Sequence, residues 1–578
     1  MQQIPLNAFD LSVFVVYMVL TVGLGFWVAG KNRKTTRGYF LGGKTLPWYV
    51  VATSMIAADI SSDDLIANAG VAYKFGIMPA AGSWNAWIIY TLLIWVFLPY
   101  YVRSGIYTMP QFLEKRYNST CRYIFAVALV IGYVGAILGG TLYAGGLALQ
   151  GMLAMDLTWA IIFFGVTTGA YTIYGGLTSA AWTDFVQVGL LLTAGILIPV
   201  LGLMHPDVGG LTNLMHEYPQ RFQVYLPPTH ERFPITGVFT GFLTVGIWYS
   251  CTSQHMVQRV LGAKDEWHAR MGVVGAGYLR IITPFFFVLP GIIAFKLFPK
   301  LERPDMAYLS LVKELIPTGL RGLILAGMAA ALMSNVSSVL NSASTIFTMD
   351  LYKKYREWRV VRWPEAPAPS FKAGDVLHYD RGPVVGDAET VSERELVKVG
   401  RWSGVIILIL SMLIGYYYSQ QKESLYEQLQ RIFFFIAPPF AVIFLVGLLW
   451  RRATATAAVW TIGLGFAFTS FLVFYAFPHV EWLRPYKTYQ HPAFVSWLFC
   501  MIVMIVVSLM TPEPPAEKVD GVIWDRHYAK LPLELSQRYR GWRDYRIWWA
   551  GFVGSILTIY GFFVWWRFEH PASATSVW

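Results

Sequence analysis

The feature that most constrains this chain is the recurrence of apolar runs about twenty residues long, the length a helix needs to cross bilayer hydrocarbon. In lipid the backbone finds no water, so each run must satisfy its own N–H and C=O groups, which a helix does. Such windows fall near 9–30, 47–74, 78–103, 121–152, 156–175, 180–204, 236–262, 271–298, 319–352, 399–419, 424–451, 453–478, 491–511 and 546–567. The expected fold is therefore an all-α polytopic membrane protein with about fourteen transmembrane helices. Composition agrees, with 56% of residues hydrophobic and 14% charged, unlike an ordinary soluble domain.

A formal charge of +11 would suggest nucleic acid in a soluble protein. Here the basic residues gather at the ends of apolar runs: Lys31, Arg33, Lys34 and Arg37; Lys115, Arg116 and Arg122; Arg259, Lys264 and Arg270; Lys353, Lys354, Arg356, Arg359 and Arg362; Arg451 and Arg452. These clusters sit on alternate connections. The positive-inside rule places them in the cytoplasm and both termini outside. The bilayer is the expected partner, with no nucleic acid and no obligate protein partner. The first ten residues lack a basic n-region, so the first run is expected to be a retained span. Phosphate loops, metal-ligand clusters and catalytic triads are missing from the sequence, so an enzyme is not expected.

One run departs from simple hydrophobicity. Between Leu325 and Tyr352 lie Ser334, Asn335, Ser337, Ser338, Asn341, Ser342, Ser344 and Thr345. At helical spacing Ala331, Ser334, Asn335 and Ser338 fall at i, i+3, i+4 and i+7 and share one face. Neutral oxygens on such a face can replace part of the water shell of a hard cation such as sodium. Alternatively, they join helices by hydrogen bonds.

Three other runs carry groups that a lipid-facing helix avoids. The second contains Ala57-Ala-Asp-Ile-Ser-Ser-Asp-Asp64, the sixth contains Asp184, and the seventh contains Trp248-Tyr-Ser-Cys-Thr-Ser-Gln-His255. An intramembrane carboxylate costs roughly 2.5 kcal/mol or more and faces a cavity or a partner. Polar, poorly helical stretches in early spans of two successive halves are the trace of inverted repeats with broken helices. The interrupted spans at 47–74 and 236–262 are separated by four complete ones, so each would open a five-span repeat.

Several ordered stretches then carry a resemblance. They are Gly105-Ile-Tyr-Thr-Met-Pro-Gln-Phe-Leu-Glu-Lys-Arg116, Tyr174-Gly-Gly-Leu-Thr-Ser-Ala-Ala-Trp-Thr-Asp184-Phe-Val-Gln, Val257-Gln-Arg-Val-Leu-Gly-Ala-Lys264, Gly277-Tyr-Leu-Arg280, and Asn341-Ser-Ala-Ser-Thr-Ile-Phe-Thr-Met-Asp-Leu-Tyr352. With these the chain resembles the sodium:solute symporter family, in its sodium–glucose cotransporter-like branch, over nearly its whole length. The resemblance implies a leucine-transporter-type core of two inverted five-helix repeats with flanking helices, working by alternating access with sodium as coupling ion.

Carried over by motif, the resemblance implies a principal sodium site of Ala57 and Ile60 on the broken helix with Ala331, Ser334 and Asn335 on the polar helix. The departure is Asn335, where the family usually has Ser or Thr. A second sodium site would use Asp184, Ser337 and Ser338 with Ser334; alternatively Asp184 pairs with a basic residue. Around the solute, Gln430 falls where sugar carriers keep a sugar-contacting Gln, and Tyr249 falls at the inner tyrosine gate. Asp59 stands where sugar carriers have Asn and proline-type members have Asp. Its expected role is hydrogen bonding to the unwound segment, or direct cation or proton coupling. Asp64 replaces Gln or His, Ser83 replaces a sugar-contacting Glu, and Arg280 replaces a Lys. Arg280 could pair with a solute carboxylate, or snorkel at the end of its span.

The domain plan expected is an N-terminal extra helix and loop (1–46), a first repeat (47–204), an extracellular loop (205–235), a second repeat (236–451) with a cytoplasmic insertion (353–400), two flanking helices (452–511), a cytoplasmic segment (512–545) and a last helix (546–578). Arg and Trp in the 512–545 segment are expected to anchor at lipid headgroups. The implied function is sodium-coupled uptake of a small polar solute, most simply a sugar or polyol, across the plasma (inner) membrane. Other readings are symport of an organic anion such as a sialic acid or monocarboxylate, an uncoupled facilitator or channel, and a sensor that no longer transports.

Overall fold

The computed structural model describes residues 6–571 except 31, 61, 229, 231–233, 302, 363–390, 422–424, 484–485 and 487–489, with backbone alone at 32, 62–64, 359–362 and 425–430. Most of the expected insertion, and the side chains of Asp64 and Gln430, thus lie outside the described residues. Among those described, every regular element is helical, and the extended pairing is an isolated parallel bridge between Leu46 and Ala263.

Among the described residues twelve helices are long and apolar enough to cross a membrane, against the fourteen spans expected. The difference arises at two places. The expected span 47–74 is a pair of short helices, Trp48–Asp59 and Ser62–Phe75, with Ile60 extended at φ −96°, ψ 127°; neither is long enough to cross alone. The expected spans 156–175 and 180–204 form one helical run, Leu157–Met204, of 48 residues. Straight, that run would be about 72 Å long, more than twice the hydrocarbon thickness. It breaks at Gly176, whose φ of 64° and ψ of −148° leave the helical region. A Cβ there would also sit 2.2 Å from the Tyr39 carbonyl oxygen, so glycine is required on both counts.

The polar helix, Arg321–Ile346, is the axis of the bundle and is buried along nearly its whole length. Helix Leu157–Met204 runs along it, and Trp48–Asp59 packs against both. Small residues permit the approach: a Cβ on Gly327 of the polar helix would lie 2.7 Å from Ala194 Cβ on Leu157–Met204, so these two helices pack closely there. The last helix, Tyr545–Glu569, by contrast buries Tyr545, Phe552, Ile556, Phe563 and Trp566 and leaves most of its apolar surface outward. That is the arrangement expected at the lipid-facing periphery.

A second interruption lies in the seventh expected span. Helix Ile235–Gly246 passes into a π-helical turn, Ile247–Thr252, then extended Ser253 (φ −77°, ψ 132°), then helix Gln254–Leu261. Backbone groups released there find side-chain partners, as buried polar groups must. Tyr101 Oη donates to the Cys251 carbonyl at 2.9 Å, the His255 N–H donates to Tyr133 Oη at 3.2 Å, and Tyr133 Oη and Ser253 Oγ lie 2.8 Å apart. His255 is buried with its Nδ1 2.9 Å from Ser253 Oγ, while its Nε2 has no hydrogen-bond partner among the described residues. The two interrupted helices are tied at their ends, where the Leu46 N–H donates to the Gly262 carbonyl at 3.1 Å and the Lys264 N–H donates to the Leu46 carbonyl at 3.0 Å.

Segment 512–545 packs in part on protein, while its Arg538, Arg540, Trp542 and Arg543 stay exposed. Arg270 donates to the carbonyls of Tyr528 (2.5 Å) and Ala529 (3.1 Å), and Arg103 to that of Lys530 (2.5 Å). Glu266 holds both guanidiniums, at 2.7 Å and 2.5 Å. Trp267 stacks on Tyr539 with centroids 3.9 Å apart and planes within 5°. Aromatic and guanidinium groups that could have met lipid thus meet this strap.

Candidate functional site

The site forms where the first interrupted helix meets the polar helix. The helix Trp48–Asp59 ends because Ile60 turns extended, and the carbonyls of its last turn lose their i+4 donors. Side chains of the polar helix replace those donors. Ser334 Oγ donates to the Ala57 carbonyl at 2.6 Å and also reaches the Ala331 carbonyl at 3.3 Å. Asn335 Nδ2 donates to the Ala58 carbonyl at 3.1 Å, while its Oδ1 accepts from Thr141 Oγ1 at 3.1 Å. Ala57, Ile60, Ala331, Ser334 and Asn335 are all buried. The structure therefore brings the five residues of the expected principal site to one helix crossing.

Asn335 sits differently from the expected ligand. Its amide nitrogen faces the broken segment and its oxygen faces Thr141, because a carbonyl such as that of Ala58 accepts from an N–H and repels another oxygen. In this arrangement Asn335 is a donor that braces the interrupted helix, not an oxygen ligand beside Ala57.

Next to this crossing lies a cavity of about 230 Å³ lined by residues of both interrupted helices. Asp59, Asn335, Thr141, Tyr249, Ser250 and Asn85 supply its polar surface; Tyr90, Phe239, Phe242 and Phe433 supply aromatic walls; and Arg280 reaches in from helix Glu266–Phe287. A concave, mostly apolar chamber with a few convergent polar groups is the usual form of a small-molecule site. Arg280 meets Asp59 at the chamber wall, so its head group lies inside the protein and does not snorkel at the end of its span. Ser83 is not among the lining residues although its neighbours Gly82, Asn85 and Ala86 are. It lies on a short helix, Ala80–Trp84, of which Gly82 lines the cavity while Trp84 stacks on Phe563. Tyr249 stands edge-on to His255 at 4.8 Å, at the cavity's end nearest the second interruption.

The sequence profile of the sodium:solute symporter family matches residues 39–360 and 385–465. The chain belongs to that family. It is therefore a transporter and not an enzyme, with sodium as the coupling ion. The symporter is 31% identical over 535 residues to the sodium/glucose cotransporter of Vibrio parahaemolyticus, covering 88% of this chain and 91% of that one. It is 31% identical over 602 residues to the human sodium/myo-inositol cotransporter 2, covering 92% of this chain and 84% of the relative. In fold it matches a Na+-coupled sialic acid symporter solved in a substrate-bound outward-open state, with a TM-score of 0.74, 20% identity, and 88% and 98% of the two chains covered. The all-helical arrangement is accordingly of the leucine-transporter type.

The residues expected at a second sodium site lie deeper in the symporter, on Leu157–Met204 and the polar helix. Asp184 is fully buried; its Oδ2 accepts from Ser54 Oγ at 2.6 Å and lies 4.0 Å from Arg259 Nη2. Among the described residues its Oδ1 and the hydroxyl of Ser338 have no hydrogen-bond partner, whereas Ser337 Oγ donates to the Ser334 carbonyl at 2.9 Å. Arg259 also donates to Ser54 Oγ at 3.3 Å and to the His255 carbonyl at 2.6 Å.

Sequence reasoning did not single out Ser54, Thr141, Arg259 or Asn85 as site residues. Thr141 meets Asn335 across 194 positions and Arg259 meets Ser54 across 205, distances that no local pattern encodes. The usable signal was charge: Arg259 falls just inside the end of the 236–262 window, and a basic residue buried there needs a partner.

Proposed function

We propose that this symporter imports a small uncharged polar solute, a sugar or polyol, with sodium by alternating access. The observation that carries the reading is the crossing of the interrupted helix at Ile60 by Ser334, with a solute-sized cavity opening beside it on Asp59. An oxygen cluster shared by a broken helix and a continuous one couples ion to conformation: a cation there favours the arrangement that holds the two together. Ala57, Ile60, Ala331 and Ser334 are the proposed ligands, with Asn335 bracing the segment. Asp184 with Ser334, Ser337 and Ser338 would hold a second ion where Arg259 does not fully neutralise the carboxylate. Relatives named for glucose and myo-inositol support the solute class.

The cavity wall supports it too, since polar donors and acceptors set among aromatic faces suit a hydroxylated ring. Tyr249 would close the inner end of the path. The proposed setting is the plasma (inner) membrane with both termini outside, following the charge alternation, and repeats spanning 47–204 and 236–451. The test is uptake into proteoliposomes under a sodium gradient with sugars, polyols, sialic acids, amino acids and monocarboxylates. Concentration of a sugar or polyol supports the reading. Concentration of a sialic acid or monocarboxylate instead would replace it by the anion reading, and equilibration that ignores the gradient would replace it by a facilitator.

A further inference from the structure

Two charged side chains line the cavity among the described residues, Asp59 and Arg280, and they are paired with each other. The pair is largely out of solvent, with the carboxylate side chain 8% and the guanidinium 22% exposed. Its geometry is set by the break itself. Asp59 is the last residue of helix Trp48–Asp59, so its carboxylate stands at a helix C-terminus that already carries partial negative charge. Arg280 approaches from the middle of Glu266–Phe287, and its buried Nε has no acceptor.

We infer that the Asp59–Arg280 pair is a charge filter: it keeps the chamber electrically neutral, so uncharged hydroxylated solutes are accepted and charged analogues of the same shape are rejected. This rests on the sugar reading above and extends it to a specificity determinant. A charged solute entering the chamber must compete with the pair's own partner, and it must shed its hydration to do so. A neutral hydroxyl can donate to the Asp59 carboxylate or accept from Arg280 Nε without separating them. If one partner loses its charge, the other is left as an uncompensated buried ion, and the chamber then favours a solute of opposite charge. The direction is fixed: Asp59→Asn leaves a cation and selects an anion, and Arg280→Gln leaves an anion and selects a cation.

The test uses matched solutes that differ in charge and little else: glucose, glucuronate and protonated glucosamine, with the corresponding galactose set. Sodium-dependent uptake and ligand-induced thermal stabilisation are measured for the wild type, D59N, R280Q and the D59N/R280Q double variant, each first checked for stabilisation by sodium alone. The wild type is expected to favour the neutral sugars. D59N is expected to raise the uronate-to-sugar ratio by about tenfold or more, and R280Q the amino-sugar ratio likewise, as one uncompensated charge at close range can supply. The double variant is expected to return to neutral preference. Ratios unchanged in both single variants, a wild type that already favours the uronates, or a double variant that keeps the charged preference would overturn the filter. If D59N fails to fold, R280Q alone decides the matter by its amino-sugar ratio. A wild type that binds no neutral sugar at all counts against the sugar reading, while the charge ratios of the variants still decide the filter.

Discussion

Ser334 Oγ donates to the Ala57 carbonyl at 2.6 Å, joining two helices whose residues are 277 positions apart. The same hydroxyl lies 3.3 Å from the Ala331 carbonyl within its own helix. A cation entering between the helices needs only that the hydroxyl turn its hydrogen toward Ala331, leaving its lone pairs and the Ala57 oxygen facing the ion. Replacing Ser334 by Ala removes both the hydrogen bond and the ligand. The half-saturating sodium concentration for uptake is expected to rise about tenfold, matching roughly 1–1.5 kcal/mol for one such interaction, while Ser334→Thr retains near wild-type sodium dependence. Sodium titration of initial uptake rates checks this.

Asn335 braces the interrupted helix by linking Ala58 to Thr141. Asn335→Ala leaves a buried carbonyl and a buried hydroxyl without partners, and a loss of about 1–3 kcal/mol of stability is expected. Thr141→Val removes part of the same link. In a double-mutant cycle the two effects are expected to fall short of additivity. Thermal unfolding in detergent with and without sodium measures them; strict additivity would show that the two side chains do not act together.

The Asp184–Arg259 pair makes a different demand. Both side chains are fully buried, so removing one charge leaves the other stranded. Arg259→Gln is expected to cost about 3–5 kcal/mol, with much of that recovered in the Arg259→Gln/Asp184→Asn double variant. If Asp184 also holds a second sodium ion, Asp184→Asn lowers the Hill coefficient of sodium-dependent uptake toward one. A wild-type coefficient of one that this variant leaves unchanged rules the second ion out.

The strap over 512–545 is held by Arg270, which bonds Glu266 and the carbonyls of Tyr528 and Ala529. Arg270→Ala is expected to expose that stretch. Limited proteolysis should cut between 524 and 545 several-fold faster than in the wild type, with only a modest fall in melting temperature, because the membrane-spanning core keeps its packing. Equal cleavage rates would show that other contacts, such as the Trp267–Tyr539 stack, suffice.

Much of this was legible in the sequence because the bilayer narrows the choices. Long apolar runs have to be helices, and the cluster Asp59-Ile-Ser-Ser-Asp-Asp64 could not continue one through lipid, so the break at Ile60 was visible as chemistry before it was visible as φ and ψ. The polar face of Ser334 and Asn335 followed from helical spacing. The direction of the Asn335 amide did not, because it is set by Thr141 on a helix far away in the chain. Arg280 was equally ambiguous: a basic residue in an apolar run signals a partner, but the sequence does not say that the partner is Asp59 instead of solute. The protein contacts of the strap were not legible for a related reason, since Arg, Tyr and Trp meet headgroups and protein faces equally well. The helix count falls below the span count because the 47–74 window splits at Ile60 and the 156–175 and 180–204 windows share one helical run that breaks at Gly176.

The most direct test of sodium coupling through this crossing is solute accumulation in proteoliposomes by wild type and Ser334→Ala, compared across a range of inward sodium gradients and in sodium-free potassium buffer. The expected result is accumulation above equilibrium only with a sodium gradient, with the Ser334→Ala curve displaced to higher sodium. Accumulation or equilibration that proceeds equally without sodium, or a Ser334→Ala sodium curve that overlays the wild type, would contradict it.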